Sequence, residues 1–160
     1  MKATTTAALA AMVLAVASPG PAAAAPTDAS GGPIAAAVTP ATYAAVTAAL
    51  AKVGASYASG AAGPDAFDCS GLTMWALARA DIAAPHSSYA QYAMGSGVGR
   101  SEIRRGDLVF FDSFGAGASH VGIATSPTTA VSATNHGVMT HPIFDDTYWG
   151  GHYVGARRLR

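Results

Sequence analysis

The chain has 160 residues, with nine basic and nine acidic side chains and a formal net charge of zero. That balance argues against nucleic acid or an anionic membrane surface as the main partner, because both select for an excess of Lys and Arg. Cys69 is the only cysteine, so no internal disulfide can form and the hydrophobic core must hold the fold unaided.

The chain opens with Lys2, an apolar run from Ala7 to Ala17, and small residues ending in Ala22-Ala23-Ala24. That order of charge, apolar core and small-residue site predicts a secretory signal peptide over residues 1–24. The apolar run is too short for a bilayer span, so the processed protein is expected outside the cytoplasm with no membrane anchor. Cleavage removes Lys2 and leaves eight basic and nine acidic residues, a net charge of about −1. Residues 25–39 are rich in Ala, Pro, Gly, Ser and Thr and read as a flexible linker. One domain is expected over residues 40–160.

The domain begins with a helix over residues 40–53, with Thr39 as N-cap, Pro40 at the first helical position and Gly54 as its stop. Tyr43, Val46, Leu50 and Val53 recur at helical spacing and predict its apolar face. GASYASGAAGPDAFD reads as a loop. A second helix is predicted over residues 69–80 with Asp68 as N-cap and Leu72, Trp75, Ala76 and Arg79 on its packed face. Pro85 breaks the chain, and Ser87 or Ser88 caps a short helix reaching Met94. Five β-prone runs follow, at residues 107–112, 120–125, 130–134, 137–141 and 153–159. Helices first and strands later predict an α+β domain with an antiparallel sheet of about five strands. Phe110, Val121 and Ile123 are expected in the core with Leu72 and Trp75. Tyr148 and Trp149 are expected to cover a sheet edge or line a cleft. Arg157, Arg158 and Arg160 read as a solvated strand end.

A lone cysteine is a small apolar core residue, a dimer bridge or a reactive thiol. Cys69 falls at the predicted start of a helix, where backbone N–H groups carry partial positive charge. Those groups favour a thiolate and can hold the oxyanion of a tetrahedral intermediate. A thiol nucleophile needs a base, and His86, His120, His136, His141 and His152 are available. His120 is the strongest candidate, because it opens a strand after a glycine-rich loop and so combines rigidity with access. His136 and His141 have no Cys or carboxylate arranged around them, and no metal site is expected.

GASYASG, DCSGL, APHSSYAQY, RRGDLVFF and HVGI occur in that order, and from about Val53 onward the chain resembles the NlpC family of bacterial cell-wall cysteine endopeptidases. The resemblance implies a papain-like fold, Cys69 as nucleophile, His120 as general base and no metal or organic cofactor. It places Tyr57 beside the oxyanion site and Asp68 and Ser70 along the substrate cleft. It implies hydrolysis of peptidoglycan stem peptides, commonly between D-glutamate and diaminopimelate, by a monomer associated with the cell wall.

Two positions depart from the family pattern. The third polar residue, usually His, falls 12 positions after the base, where this chain has Ser132. A serine can fix the imidazole tautomer but stabilises an imidazolium less than a carboxylate would. Asn135 is the chemically better-suited alternative, although strand parity favours Ser132 or Thr134. His86 stands where relatives often carry Arg, so a substrate carboxylate would be held more weakly at neutral pH. The altered third position keeps open a non-catalytic peptidoglycan-binding module. The same Cys–His pair would also serve an amidase cutting between muramic acid and L-alanine.

Overall fold

The computed structural model describes residues 39–159. The expected signal peptide and all but the last residue of the expected linker lie outside them, as does Arg160. Helix α1 spans Pro40–Leu50, with the Thr39 hydroxyl accepting from Thr42 N–H and Pro40 in the first turn. The helix stops earlier than Val53, and turns carry the chain to Gly54, whose φ of 92° lies in the left-handed region. Its buried stripe is Ala45, Val46 and Ala49, while Tyr43 and Val53 are exposed. The predicted face is thereby corrected: Val46 is buried as expected, but the rest of the buried stripe is alanine.

The stretch predicted as loop contains two short strands, β1 (Ser56–Tyr57) and β2 (Ala66–Phe67), paired in parallel. Helix α2 runs Cys69–Ala78, and the Asp68 carboxylate caps it by accepting from Gly71 N–H at 2.6 Å. Leu72 and Ala76 are buried as expected, and Arg79 folds back over the half-buried Trp75 ring. Helix α3 (Ser88–Tyr92) is capped by Ser87, and its buried Gln91 donates to the Ser70 and Pro85 carbonyls.

The main sheet has six strands, one more than expected: β3 (Ser96–Val98), β4 (Leu108–Phe111), β5 (His120–Ala124), β6 (Thr129–Thr134), β7 (Gly137–Pro142) and β8 (Tyr153–Arg158). They lie in the order β3-β8-β4-β5-β6-β7, and every neighbouring pair is antiparallel. A short 3-10 turn follows β3, and α4 (Trp149–His152) precedes β8.

Alternation along the central strands divides two hydrophobic layers. Leu108, Phe110, Val121, Ile123, Val131 and Ala133 pack with α1 and α2. Val109, Phe111, Ala124 and Ala130 point the other way, toward Ile143, Trp149 and Tyr153. Both faces are covered, which is why LVFF reads as an unbroken apolar run. Arg157 and Arg158 are not the solvated strand end expected. The Arg158 guanidinium binds the buried Asp107 carboxylate through two nitrogens at 2.8 Å, and Arg157 lies 4.4 Å from the Tyr92 ring centroid.

Candidate active site

Three elements converge on Cys69 and His120. The N-terminus of α2 carries Cys69, which is half-buried, with the backbone N–H groups of Ser70 and of Cys69 itself close to the sulfur. From the sheet, the backbone N–H of Val121, the residue after His120, is close enough to the thiol to favour its ionised form. Strand β1 brings Tyr57 near enough to sense both Cys69 and Asp68. Burial pushes the Cys69 thiol above its ordinary value; Val121 N–H opposes this, the Asp68 carboxylate adds to it, and the two helix N–H groups oppose it again. The expected lowering is therefore reversed in this state, because desolvation outweighs three favourable N–H groups. Burial, then Cys69 and Asp68, likewise raise the Tyr57 hydroxyl.

His120 is the first residue of β5 and is fully buried. Its Nε2 lies 3.0 Å from Ser132 Oγ on β6. Nδ1 is buried with no hydrogen-bond partner among the described residues, so no hydrogen bond joins His120 to Cys69 in this state. Burial, with His141 nearby, lowers the His120 pKa to about 3. Above the imidazole stand two aromatic rings, Phe114 at 5.4 Å and Trp149 at 5.6 Å between centroids.

Ser132 reaches His120 because Gly122 has no side chain. A Cβ on Gly122 would lie 2.9 Å from the Val131 carbonyl oxygen and 3.1 Å from Ser132 Cβ. The same hydroxyl lies 2.8 Å from His141 Nε2, and His141 Nδ1 lies 2.8 Å from the Pro142 carbonyl oxygen. Trp149 stacks on His141 with centroids 3.6 Å apart and planes 18° apart. Burial lowers His141 to about 4, against the opposing pull of the Pro142 carbonyl and the Asp145 carboxylate. His141 is one of the five histidines the sequence offers as a base, but the sequence reading assigns it no place in the site.

Of the other predicted site residues, Asn135 is exposed in the β6–β7 turn and does not reach His120, whose Nε2 is taken by Ser132. The turn closes after two residues, which leaves Asn135 beyond the strand that presents Ser132. Asp68, Ser70 and His86 form one cluster. The carboxylate accepts from Gly71 and Gly60 N–H, from the Ser70 hydroxyl at 3.1 Å, and from His86 Nε2 at 2.9 Å to each oxygen. Burial pushes the Asp68 carboxyl up, but these hydrogen bonds and the His86 ring outweigh it and hold it below the usual range. His86 thus spends that nitrogen within the protein. It is neither a free surface group nor placed to offer Nε2 to a substrate carboxylate.

Two cavities meet at Asn135 and His136. One, of about 430 Å³, is walled by Phe114, Thr134, Met139 and Trp149. The other, of about 390 Å³, runs beside Ala55 and Tyr57. No helix among the described residues is long and apolar enough to cross a membrane.

Residues 54–158 match the family model described as NlpC/P60 family. The chain is 41% identical over 107 residues to a probable endopeptidase p60 of Listeria monocytogenes, covering 67% of this chain and 22% of that protein. It is 46% identical over 84 residues to a probable endopeptidase of Corynebacterium glutamicum, covering 52% of this chain and 39% of that one. It therefore spans well under half the length of these curated relatives. Among solved structures, an NLP/P60 family protein from Staphylococcus aureus, described as similar to a lipoprotein, superposes with a TM-score of 0.67 at 31% identity, over 74% of this chain and 41% of that one. The P60 domain of an antigen from M. avium subspecies paratuberculosis superposes at 0.61 and 25% identity, over 74% of this chain and 94% of that one.

Proposed function

This chain belongs to the NlpC/P60 family, and on that premise we propose that it is an exported cysteine endopeptidase acting on the stem peptides of peptidoglycan. The observation that carries the reading is the junction of α2 and β5. A half-buried thiol at a helix N-terminus sits near the backbone N–H of the residue after a buried imidazole, and that imidazole has one nitrogen engaged and one bare.

Cys69 is the nucleophile and His120 the base. The thiol proton passes to the bare Nδ1 as sulfur attacks the scissile carbonyl carbon. Contacts of this kind commonly tighten only when substrate is bound, so the open pair seen here is compatible with the role. The oxyanion is held by backbone N–H groups at the start of α2, with the Tyr57 hydroxyl alongside. His120 then protonates the leaving amine, the C–N bond breaks, and water releases the acyl group from sulfur. Ser132 orients the imidazole. Asp68 and Ser70 shape the cleft wall, with His86 supporting them through the carboxylate.

The bond between D-glutamate and diaminopimelate is the favoured cut. Residues 1–24 act as the export signal and residues 25–39 as a spacer ahead of the catalytic domain. The enzyme works at the cell wall as a monomer without a cofactor. Digestion of muropeptides by the wild type and by Cys69→Ala, read by mass spectrometry, tests this. Fragments split within the stem peptide are expected from the wild type only. Equal products from both proteins reject the nucleophile, and sugar freed of its whole peptide marks an amidase instead.

A further inference from the structure

We propose that His141 fixes the tautomer of His120 through Ser132, acting as a positioning residue from the adjacent strand. The inference rests on the reading of His120 as the base.

The proton positions follow from one acceptor. The Pro142 carbonyl oxygen has no proton, so the His141 nitrogen 2.8 Å away, Nδ1, must carry one. In a neutral ring Nε2 is then a bare acceptor. Ser132 Oγ lies 2.8 Å from it, so the hydroxyl donates to His141. A hydroxyl has one proton, and with that proton committed its oxygen can only accept on the other side. His120 Nε2 lies 3.0 Å from that oxygen, so Nε2 carries the proton of His120. The lone pair is left on Nδ1, the nitrogen with no partner among the described residues. The opposite arrangement, with Ser132 donating to His120, would bring two lone pairs face to face at 2.8 Å between Ser132 and His141.

The surroundings hold this chain of protons in place. His141 is 4% exposed, with Trp149 stacked on its face and Phe111 edge-on at 5.7 Å. Ser132 is fully buried, faces Gly122, and lies within hydrogen-bond distance of both rings. A serine hydroxyl alone can donate or accept, so it can hold an imidazole in place without selecting which nitrogen carries the proton. Serine anchored by His141 offers His120 only an acceptor, which is the service a carboxylate or amide oxygen gives an imidazole directly.

The test reads tautomers first. Long-range ¹⁵N–¹H spectra of the labelled full chain at neutral pH are expected to show His120 protonated at Nε2 and His141 at Nδ1. A His120 carrying its proton on Nδ1 overturns the inference without any variant. His141→Phe keeps a ring against Trp149 but removes the acceptor. It should scramble the His120 tautomer and lower kcat by about 100-fold with KM little changed, an effect of general-base size. His141→Gln, which can accept from Ser132 and donate toward Pro142, should keep the tautomer and stay within a few-fold of wild-type kcat. A folded His141→Phe with the wild-type tautomer and kcat refutes the role. If the wild type cleaves no muropeptide, the proposed function fails while the spectra still decide the tautomer. If Cys69-dependent cleavage proceeds at the wild-type rate in folded His141→Phe, this inference alone fails.

Discussion

Acid should loosen this fold through the two buried imidazoles beside Ser132. Unfolded, each titrates near 6.5, whereas in the fold burial holds His120 at about 3 and His141 at about 4. Between those values the unfolded chain binds a proton that the folded chain refuses. Stability from this source is therefore complete above about pH 6.5 and is lost as pH falls toward the folded values. The groups facing these rings are few. His120 meets Ser132, Phe111, Phe114, Trp149 and the field of His141, while His141 meets Ser132, the Pro142 carbonyl, Trp149, Phe111 and the field of Asp145. At pH 5, about 1.5 pH units below the unfolded value, each imidazole has withdrawn about 2 kcal/mol, or about 4 kcal/mol together. Domain stability totals only about 5–15 kcal/mol, so the loss is large. The assay is urea unfolding of the wild type and His141→Gln at about pH 7 and about pH 5. The variant should lose about 2 kcal/mol less on acidification than the wild type. Changes common to both proteins cancel in the comparison. An equal acid loss in the two proteins would refute the burial of a neutral His141.

Two further outcomes follow from the same site. Gly122→Ala should lower stability by about 1–3 kcal/mol, the usual range for forced overpacking, and should reduce kcat, because the new methyl meets a backbone carbonyl and the Cβ of Ser132. Wild-type unfolding midpoint and kcat in that variant would show that the β5–β6 approach is not tight. Iodoacetamide labelling of Cys69 in the free protein should accelerate from about pH 7 to about pH 9, since burial raises the thiol. A rate already at its plateau by about pH 6 would mean a preformed thiolate.

Much of this architecture was legible because its signals are local. Asp68 before Cys69 is a capping pattern that needs no tertiary information, and the structure shows the carboxylate on Gly71 N–H. The five β-prone runs from residue 107 onward became strands because each is apolar on one or both faces. What escaped depends on distant partners. Ser96-Gly97-Val98 has little strand character and is a strand only because β8 supplies its ladder. Arg158 looked solvated because Asp107 is remote in sequence. The apolar face of α1 departs from the expected one because the sequence reading weights large side chains, whereas two of its three buried residues are alanines.

His141 was recoverable in principle. A two-residue turn at Asn135-His136 pairs Thr134 with Gly137, and counting outward pairs Ser132 with Met139 and Ala130 with His141. Ala130, Ser132 and His141 then share a face. The hairpin register, not the residue types, carried the information, and sequence spacing alone read His141 as a rejected metal ligand.

The Cys69 thiol and the two buried imidazoles are displaced in one sense. Burial raises the thiol and lowers both imidazoles, so each displacement favours the uncharged form. A carboxylate in place of Ser132 would stabilise an imidazolium and pull the resting pair toward thiolate and cation. A serine backed by a neutral histidine supplies orientation without that charge. In the proposed mechanism, proton transfer from Cys69 to His120 would then be driven as the sulfur–carbon bond forms, when negative charge develops on the oxyanion among the N–H groups of α2. Charge separation is confined to the step in which substrate is present to use it, which is why a buried, uncharged relay is compatible with nucleophilic chemistry at Cys69.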